Sequence, residues 1–275
     1  MAFTWALSTY TPFNLRSHLF PQPRSGDLKK MRIAKVTTIL ALFLCAGVAS
    51  ASIITYSGDD AGVGPGGAKP NSDAAHATFA GATSIAGTIT FEGLPLGFSS
   101  SLSLGGGNSL SLTGDWDTGN GGIRNGAVTA TGYNTTSGGS EYLGMWPSFV
   151  NGSISATFNF GSSIDSFGAY LTGTEDDFPG TITLNFSDGS SETLAIPKNP
   201  SGSGGGVQFF GFTDAGASIS SVTFTEAGDF TGGRDIWGID DVSFGNSSVP
   251  EPGSILLFGT GLAILAGMIR RKLVK

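Results

Sequence analysis

The sequence predicts an all-β fold: an antiparallel, jelly-roll-like β-sandwich with an N-terminal signal peptide before it and a single C-terminal transmembrane helix after it. Three observations carry this expectation. Apolar residues alternate with Ser, Thr and Asn in several short segments, which is the period-two signature of half-buried strands. Gly supplies 44 of the 275 residues without a three-residue period, which excludes collagen and provides many turns. The 20 Phe provide enough apolar bulk to bury a core. No stretch between 52 and 248 sustains a helical period.

Two segments precede the sandwich. Arg32 and Lys35 lie before an apolar run from Val36 to Val48, and Ala49-Ser50-Ala51 follows as a small-x-small cleavage pattern. That order is the order of a secretory signal peptide, here over 31–51, cut by signal peptidase after Ala51. The run is too short to span a bilayer comfortably. Residues 1–30 have no usable periodicity. They are expected to be a misassigned upstream extension, with translation starting at Met31; the alternative is a long charged leader to the signal. The only Cys, Cys45, lies inside the signal. The mature domain therefore has no disulfide, no thiolate nucleophile and no Cys-ligated zinc.

The domain at 52–248 carries the strands. Ile154, Ala156, Phe158 and Phe160 alternate with polar residues, as do Ile182, Leu184 and Phe186, Ile89 and Phe91, and Leu110 and Leu112. Asp188-Gly189 between strands 181–187 and 191–196 is a hairpin signal, with positive φ expected at both turn residues. Further strands are expected near 53–57, 127–131, 165–172, 207–212, 219–225 and 236–244. The region 58–84 is rich in Gly, Ala and Asp with Pro65 and Pro70, and reads as a flexible loop. Residues 201–206 read as a flexible connection.

Charge is segregated along the chain. Residues 52–248 hold four basic residues against nineteen acidic ones, a balance of −15, while both ends are basic. Such a domain repels phosphates and lacks a cationic patch, so no nucleic-acid partner is expected. The acidity keeps a Gly- and Ser-rich surface soluble, and it could also recruit cations.

The tail at 249–275 carries the sharpest motif. Val249-Pro250-Glu251-Pro252 leads into an apolar helix at about 253–269, and Arg270, Arg271 and Lys272 open the basic end at 270–275. From Pro252 to Ile269, at ~1.5 Å per residue, is roughly 27 Å, enough for a thin bilayer. The basic end is expected to stay cytoplasmic. The Pro-Glu-Pro, short helix and Arg-rich end resemble the PEP-CTERM sorting signal of Gram-negative bacteria. The resemblance implies export across the inner membrane, then recognition and removal of the tail by an exosortase-like enzyme. Cell-surface or extracellular delivery in bacteria that build exopolysaccharide and biofilm matrix would follow. The same signature has been labelled an ice-binding protein C-terminal domain, a label that describes a shared tail. An ordinary membrane anchor, stably retained, is the alternative.

The strands near 209–212, 219–224 and 235–244 are similar to the closing strands of bacterial jelly-roll domains of exported surface proteins. That likeness concerns fold and leaves function open.

Catalysis is poorly supplied, and no catalytic residue is assigned. The only His of the domain, His76, falls in the expected loop, and no Gly-x-Ser-x-Gly precedes a helix. Paired acids leave a carbohydrate-active hydrolase as an alternative. The pairs are Asp115 and Asp117 around Trp116, Glu175-Asp176-Asp177, and Asp240-Asp241. At the last pair the apolar phase slips by one: Trp237 and Ile239 share one parity, Val242 and Phe244 the other. The slip predicts a β-bulge. Asp240 and Asp241, with Asp59 and Asp60, are candidate ligands of a structural calcium, the one cofactor these acids allow. Jelly-roll domains of this kind often hold such a calcium near their first and last strands. The bland alternative is two acids flanking a bulge, one hydrated and one capping a backbone N–H. Trp146, Tyr142 and Trp116 are candidate stacking platforms for sugar rings, set against a core role for the same aromatics. The leading expectation is a non-catalytic exported protein with a structural or adhesive role and polysaccharide as partner. A membrane-anchored periplasmic protein is the further alternative.

Overall fold

The computed structural model describes residues 52–148, 152–175, 181–200, 204–226 and 235–248, with 259, 261 and 262. The signal segment, the cleavage pattern at Ala49 and Ala51, and the sorting motif with its membrane helix lie outside the described residues, apart from three helical positions near 260. Among the described residues, no helix is long and apolar enough to cross a membrane.

Two antiparallel sheets form the domain. The first contains β1 (Ile54–Ala61), β2 (Thr83–Ile89), β5 (Gly122–Arg124), β6 (Tyr142–Met145), β8 (Ser166–Thr172), β11 (Gly206–Thr213) and β13 (Trp237–Ser247). Its order is β1-β11-β8-β13-β6-β5, with β2 also paired to β13. The second contains β3 (Ser101–Gly105), β4 (Asn108–Gly114), β7 (Ile154–Ile164), β9 (Thr181–Phe186), β10 (Ser191–Ala195) and β12 (Ile219–Glu226), in the order β10-β9-β12-β7-β4-β3. This is the all-β sandwich that the alternation predicts.

The inner faces meet in one core. Phe158 of the second sheet packs on Phe167 of the first, with centroids 5.8 Å apart, and on Phe224 at 6.0 Å. Trp237 is fully buried, and its indole N–H donates to the Glu226 carboxylate at 2.8 Å. A second, smaller cluster of Phe79, Tyr133, Tyr170, Val207 and Phe209 lies apart from that core.

The expected slip near 240 is a bulge. Pairing of β13 with β8 shifts register between Asp240 and Ser243, and Asp241 sits at φ +46°. The bulge returns Val242 to the core side already occupied by Trp237 and Ile239. It also divides the strand: 237–239 pair with β6, and 242–247 pair with β2.

Three expectations need correction. The region 58–84 is not a loop: β1 extends to Ala61, and a helix, α1, runs over Pro70–Ala82. Its cap is remote in sequence. The Asp60 carboxylate accepts from the backbone N–H of Asn71 at 3.2 Å and of Ser72 at 2.8 Å, doing the work of a local N-cap. Pro70 stands at the start of the helix, and Phe79 is its buried large apolar residue. One buried ring in four turns leaves no periodic signal. Second, 127–131 is not a strand and makes only a Val128–Gly132 bridge. Gly132, at φ +100°, passes so close to Gly238 that a Cβ would lie 2.8 Å from its nitrogen. Third, the hairpin at Asp188-Gly189 forms, but only Gly189 has positive φ (+87°). Phe186 O accepts from Gly189 N–H and Phe186 N–H donates to Ser190 O, a type I turn closed by a Gly bulge.

Candidate functional site

A cleft of about 520 Å³ opens between the loop that follows β1 and the loop that joins β5 to β6. Val63 to Gly67 and Lys69 form one wall; Asn125, Ala127 and Tyr133 to Ser140 form the other. Turn chemistry shapes the first wall. Gly62 and Gly66 adopt φ +70° and +72°, which a side chain rarely allows. The second wall is held from three sides. Tyr133 is 2% exposed, and its hydroxyl donates to Val63 O at 2.5 Å, joining the walls. The Thr172 hydroxyl accepts from Tyr133 N–H and donates to Tyr133 O, each at 2.9 Å. At the far end the Glu92 carboxylate accepts from Ser140 N–H at 2.7 Å, Glu141 N–H at 2.8 Å and Asn134 Nδ2 at 2.9 Å.

Beneath this wall lie the two acids of the bulge. Asp240 Oδ2 accepts from Thr135 N–H at 2.6 Å and Thr136 N–H at 3.1 Å. The Thr135 hydroxyl donates to Asp241 Oδ2 at 2.8 Å, and that of Thr136 to Asp241 Oδ1 at 2.6 Å. Asp240 is fully buried. Burial, and then the Asp241 charge, push its carboxyl up to about 7 against the pull of the Thr135 bonds. Burial also raises the phenol of Tyr133 well above the usual range.

His76 is neither in a loop nor fully exposed. It sits on α1 with its ring 5.4 Å from that of Tyr170 and 5.0 Å from that of Phe209. Burial lowers its pKa, against the opposing charges of Asp241 and Asp73. Its buried Nε2 has no partner among the described residues.

The structure separates the other candidate residues. Asp59 and Asp60 lie on β1, three strand positions from β13, and at ~4.8 Å per strand that is about 14 Å from Asp240 and Asp241. Asp60 caps α1; burial would raise its carboxyl, but bonds from Ser72 and Asn71 hold it below the ordinary range. The four acids therefore do not form the expected cage. Calcium takes about six to eight oxygens. Three of the four carboxylate oxygens at the bulge already accept bonds from Thr135 and Thr136. Among the described residues, no group of three His, Cys, Asp or Glu side chains gathers around one point. The residues do not fit calcium.

Two stacking candidates are also corrected. Trp116 is 5% exposed, with its N–H on Thr113 O, and Tyr142 is 2% exposed; neither offers a ring face to solvent. Trp146 is half-buried, with the Arg124 guanidinium 5.4 Å from its ring centroid. Of the acid pairs, Asp115 accepts from the Ser148 hydroxyl at 2.7 Å, and Asp117 closes a turn with Gly119 and Asn120. Asp176 and Asp177 lie outside the described residues.

Residues 248–272 match the family model of the PEP-CTERM protein-sorting motif. The chain carries a PEP-CTERM sorting signal. This motif includes Val249, Pro250, Glu251, Pro252, Arg270, Arg271 and Lys272, and it implies export, C-terminal anchoring and later processing by an exosortase. The PEP-CTERM match covers the tail and leaves the sandwich unassigned. No curated protein matches the chain. Several solved structures resemble the sandwich loosely. The enzymatically active domain of bacteriophage CBA120 tailspike protein 4 is 16% identical over 51% of this chain, with TM-score 0.32; the match spans 19% of the tailspike chain. The cleaved adhesin domain of Lys-gingipain is 17% identical over 57% of this chain and 98% of that one, with TM-score 0.36. TmCBM61, solved with β-1,4-galactotriose, is 12% identical over 49% of this chain and 86% of that one, with TM-score 0.28. At these scores the likeness carries no functional argument.

Proposed function

We propose that the exported sandwich is a non-catalytic, structural or adhesive component of the cell surface or extracellular matrix, and that it binds polysaccharide in the cleft between the 62–69 and 125–140 loops. The observation that supports this is the cleft wall itself. Asn125, Asn134, Thr135, Thr136, Ser137 and Ser140 line it: Asn125, Ser137 and Ser140 can donate to and accept from sugar hydroxyls, while Asn134, Thr135 and Thr136, whose protons are held by Glu92, Glu141 and Asp241, offer acceptor oxygens. Tyr133, Glu92 and the bulge acids hold that wall in place, so little ordering cost falls on binding. In this reading the tail delivers the domain through the inner membrane, and its removal frees the domain to the surface.

The test is isothermal titration of the protein with soluble cello-, xylo- and galacto-oligosaccharides. Binding to at least one series is expected. The double variant Asn125→Ala, Ser137→Ala, at two exposed rim positions, is expected to weaken it at least tenfold. No heat with any series, or heat unaffected by the variant, overturns the cleft as the site. Release of reducing ends during the titration overturns the non-catalytic reading in favour of a hydrolase.

A further inference from the structure

The outer face of the second sheet has a composition unlike the rest of the domain. One row crosses all six strands through Ser101, Ser111, Thr157, Thr223, Thr183 and Thr193, each opposite the next in register. The rows on either side are built in the same way, from Ser, Thr, Asn and Ala. No outward position in the paired registers is ionisable, aromatic or aliphatic beyond Ala. Yet the domain around it holds nineteen acids against four basic residues. The charge lies elsewhere, on loops, on the other sheet and at inward or edge positions such as Glu192, which pairs opposite the core residue Leu184.

The hydroxyls are also ordered. Thr157 and Thr223 share a hydrogen bond at 3.0 Å, Ser155 and Thr225 one at 3.1 Å, and Thr183 and Thr193 one at 3.3 Å. Asn159 donates to Ser111 at 3.3 Å, and Asn185 to Ser221 at 3.2 Å. A hydroxyl has one proton and two lone pairs, so each paired group keeps capacity for a further bond. The inward residues behind them, Leu110, Ala156, Phe158, Ile182, Leu184, Val222 and Phe224, are essentially fully buried, which fixes the backbone that presents the array. Strand geometry sets its spacing at ~4.8 Å between strands and ~6.7 Å along them.

We propose that this face is a second docking surface, distinct from the cleft, for a neutral hydroxyl-rich polysaccharide lying flat across the strands. Charge selects the occupant. An anionic polymer meets the field of the acidic domain, and a cationic one finds no carboxylate on the face. An apolar protein surface finds no apolar counterpart. A neutral polyol finds a fixed lattice of donors and acceptors. Each contact is weak, and many repeat along one polymer.

The test is co-sedimentation of the detergent-solubilised full-length protein with microcrystalline cellulose, granular starch and calcium-alginate beads. Retention on at least one neutral polymer and none on alginate is expected. The double variant Thr157→Asp, Thr223→Asp should cut retention at least tenfold, and Thr157→Val, Thr223→Val should do the same while keeping strand shape. The pair Thr55→Val, Ser57→Val, exposed on β1 of the other sheet and outside the cleft, should leave it unchanged, and the rim variant Asn125→Ala, Ser137→Ala should lower it less than either Thr157, Thr223 pair does. No retention on either neutral polymer overturns the proposal, as does retention that survives the Val pair or depends on the rim variant alone. If the Asp pair instead dissociates a dimer measured by light scattering, the face joins two copies of this chain, and the proposal is overturned in that direction.

Discussion

Replacing Asp240 by Asn tests whether a buried carboxyl beneath the cleft wall is held protonated near neutrality. The side chain is fully buried, Oδ2 is engaged by Thr135 and Thr136, and Oδ1 has no partner among the described residues. Burial and the neighbouring Asp241 move its titration from the ordinary 3.8 to about 7. At ~1.4 kcal/mol per pH unit the difference is on the order of 4 kcal/mol. The sign follows from proton counting. Between pH about 4 and about 7 the native state holds a proton that the unfolded chain has lost, so stability falls as pH rises through that window. Below it the contribution is fully present; above it the charge is buried and the contribution is gone. Asn carries no charge at any pH and keeps an oxygen for the Thr135 and Thr136 amides. Urea unfolding of both proteins at pH 4, 5, 6, 7 and 8 isolates the effect of the Asp240 and Asp241 pair, because groups that do not interact with Asp240 cancel in the difference. The variant should match the wild type within about 1 kcal/mol at pH 4 and exceed it by several kcal/mol at pH 8. A difference that stays flat across this range, or that favours the wild type as pH rises, would refute the reasoning.

Three further outcomes follow from local geometry. Asp60→Ala removes the acceptor for the first amides of α1 and should cost about 1–2 kcal/mol, the scale of a lost N-cap. Limited proteolysis should then cut first within 62–82, and unchanged protection there would contradict the capping role. Gly122→Ala places a Cβ at φ +94° in steric overlap with Gly97 O, so β5 must move. A loss of about 1–3 kcal/mol is expected from thermal unfolding, whereas Gly66→Ala, strained at φ +72° but with open space around it, should cost about 1 kcal/mol.

Strands were legible where one face is polar and the other buried. Ile154 to Phe158, Thr181 to Phe186 and Leu110 to Leu112 all lie in the second sheet, whose outer face is open, so their alternation survives in the sequence. β8 and β11 are buried at every position and show less alternation. The bulge was legible because it shifts apolar parity, which a linear pattern records. The helix α1 was not, because its cap is Asp60 on a strand and Phe79 is its one large fully buried side chain. The cleft escaped sequence reasoning for a related reason. Its wall is Gly, Asn, Ser and Thr, residues that read as an ordinary loop, and the signal that singles it out is the convergence of Tyr133, Glu92 and Asp240 from distant positions.

By itself the sequence determined that this chain carries a PEP-CTERM sorting signal, which implies export, and that its domain is an all-β sandwich. Both are local properties. A sorting motif is read as a contiguous string, and a half-buried strand announces itself every second residue. Only the tertiary structure decided which acids meet. Asp240 and Asp241 lie under the cleft wall, and Asp59 and Asp60 lie three strands away, because strand order depends on how the whole chain buries its apolar faces. It also decided that Trp116 and Tyr142 are core, and that polar outward positions from six separate strands line up as one uncharged face. Register between distant segments is set by packing the sandwich as a unit, and no single segment contains it.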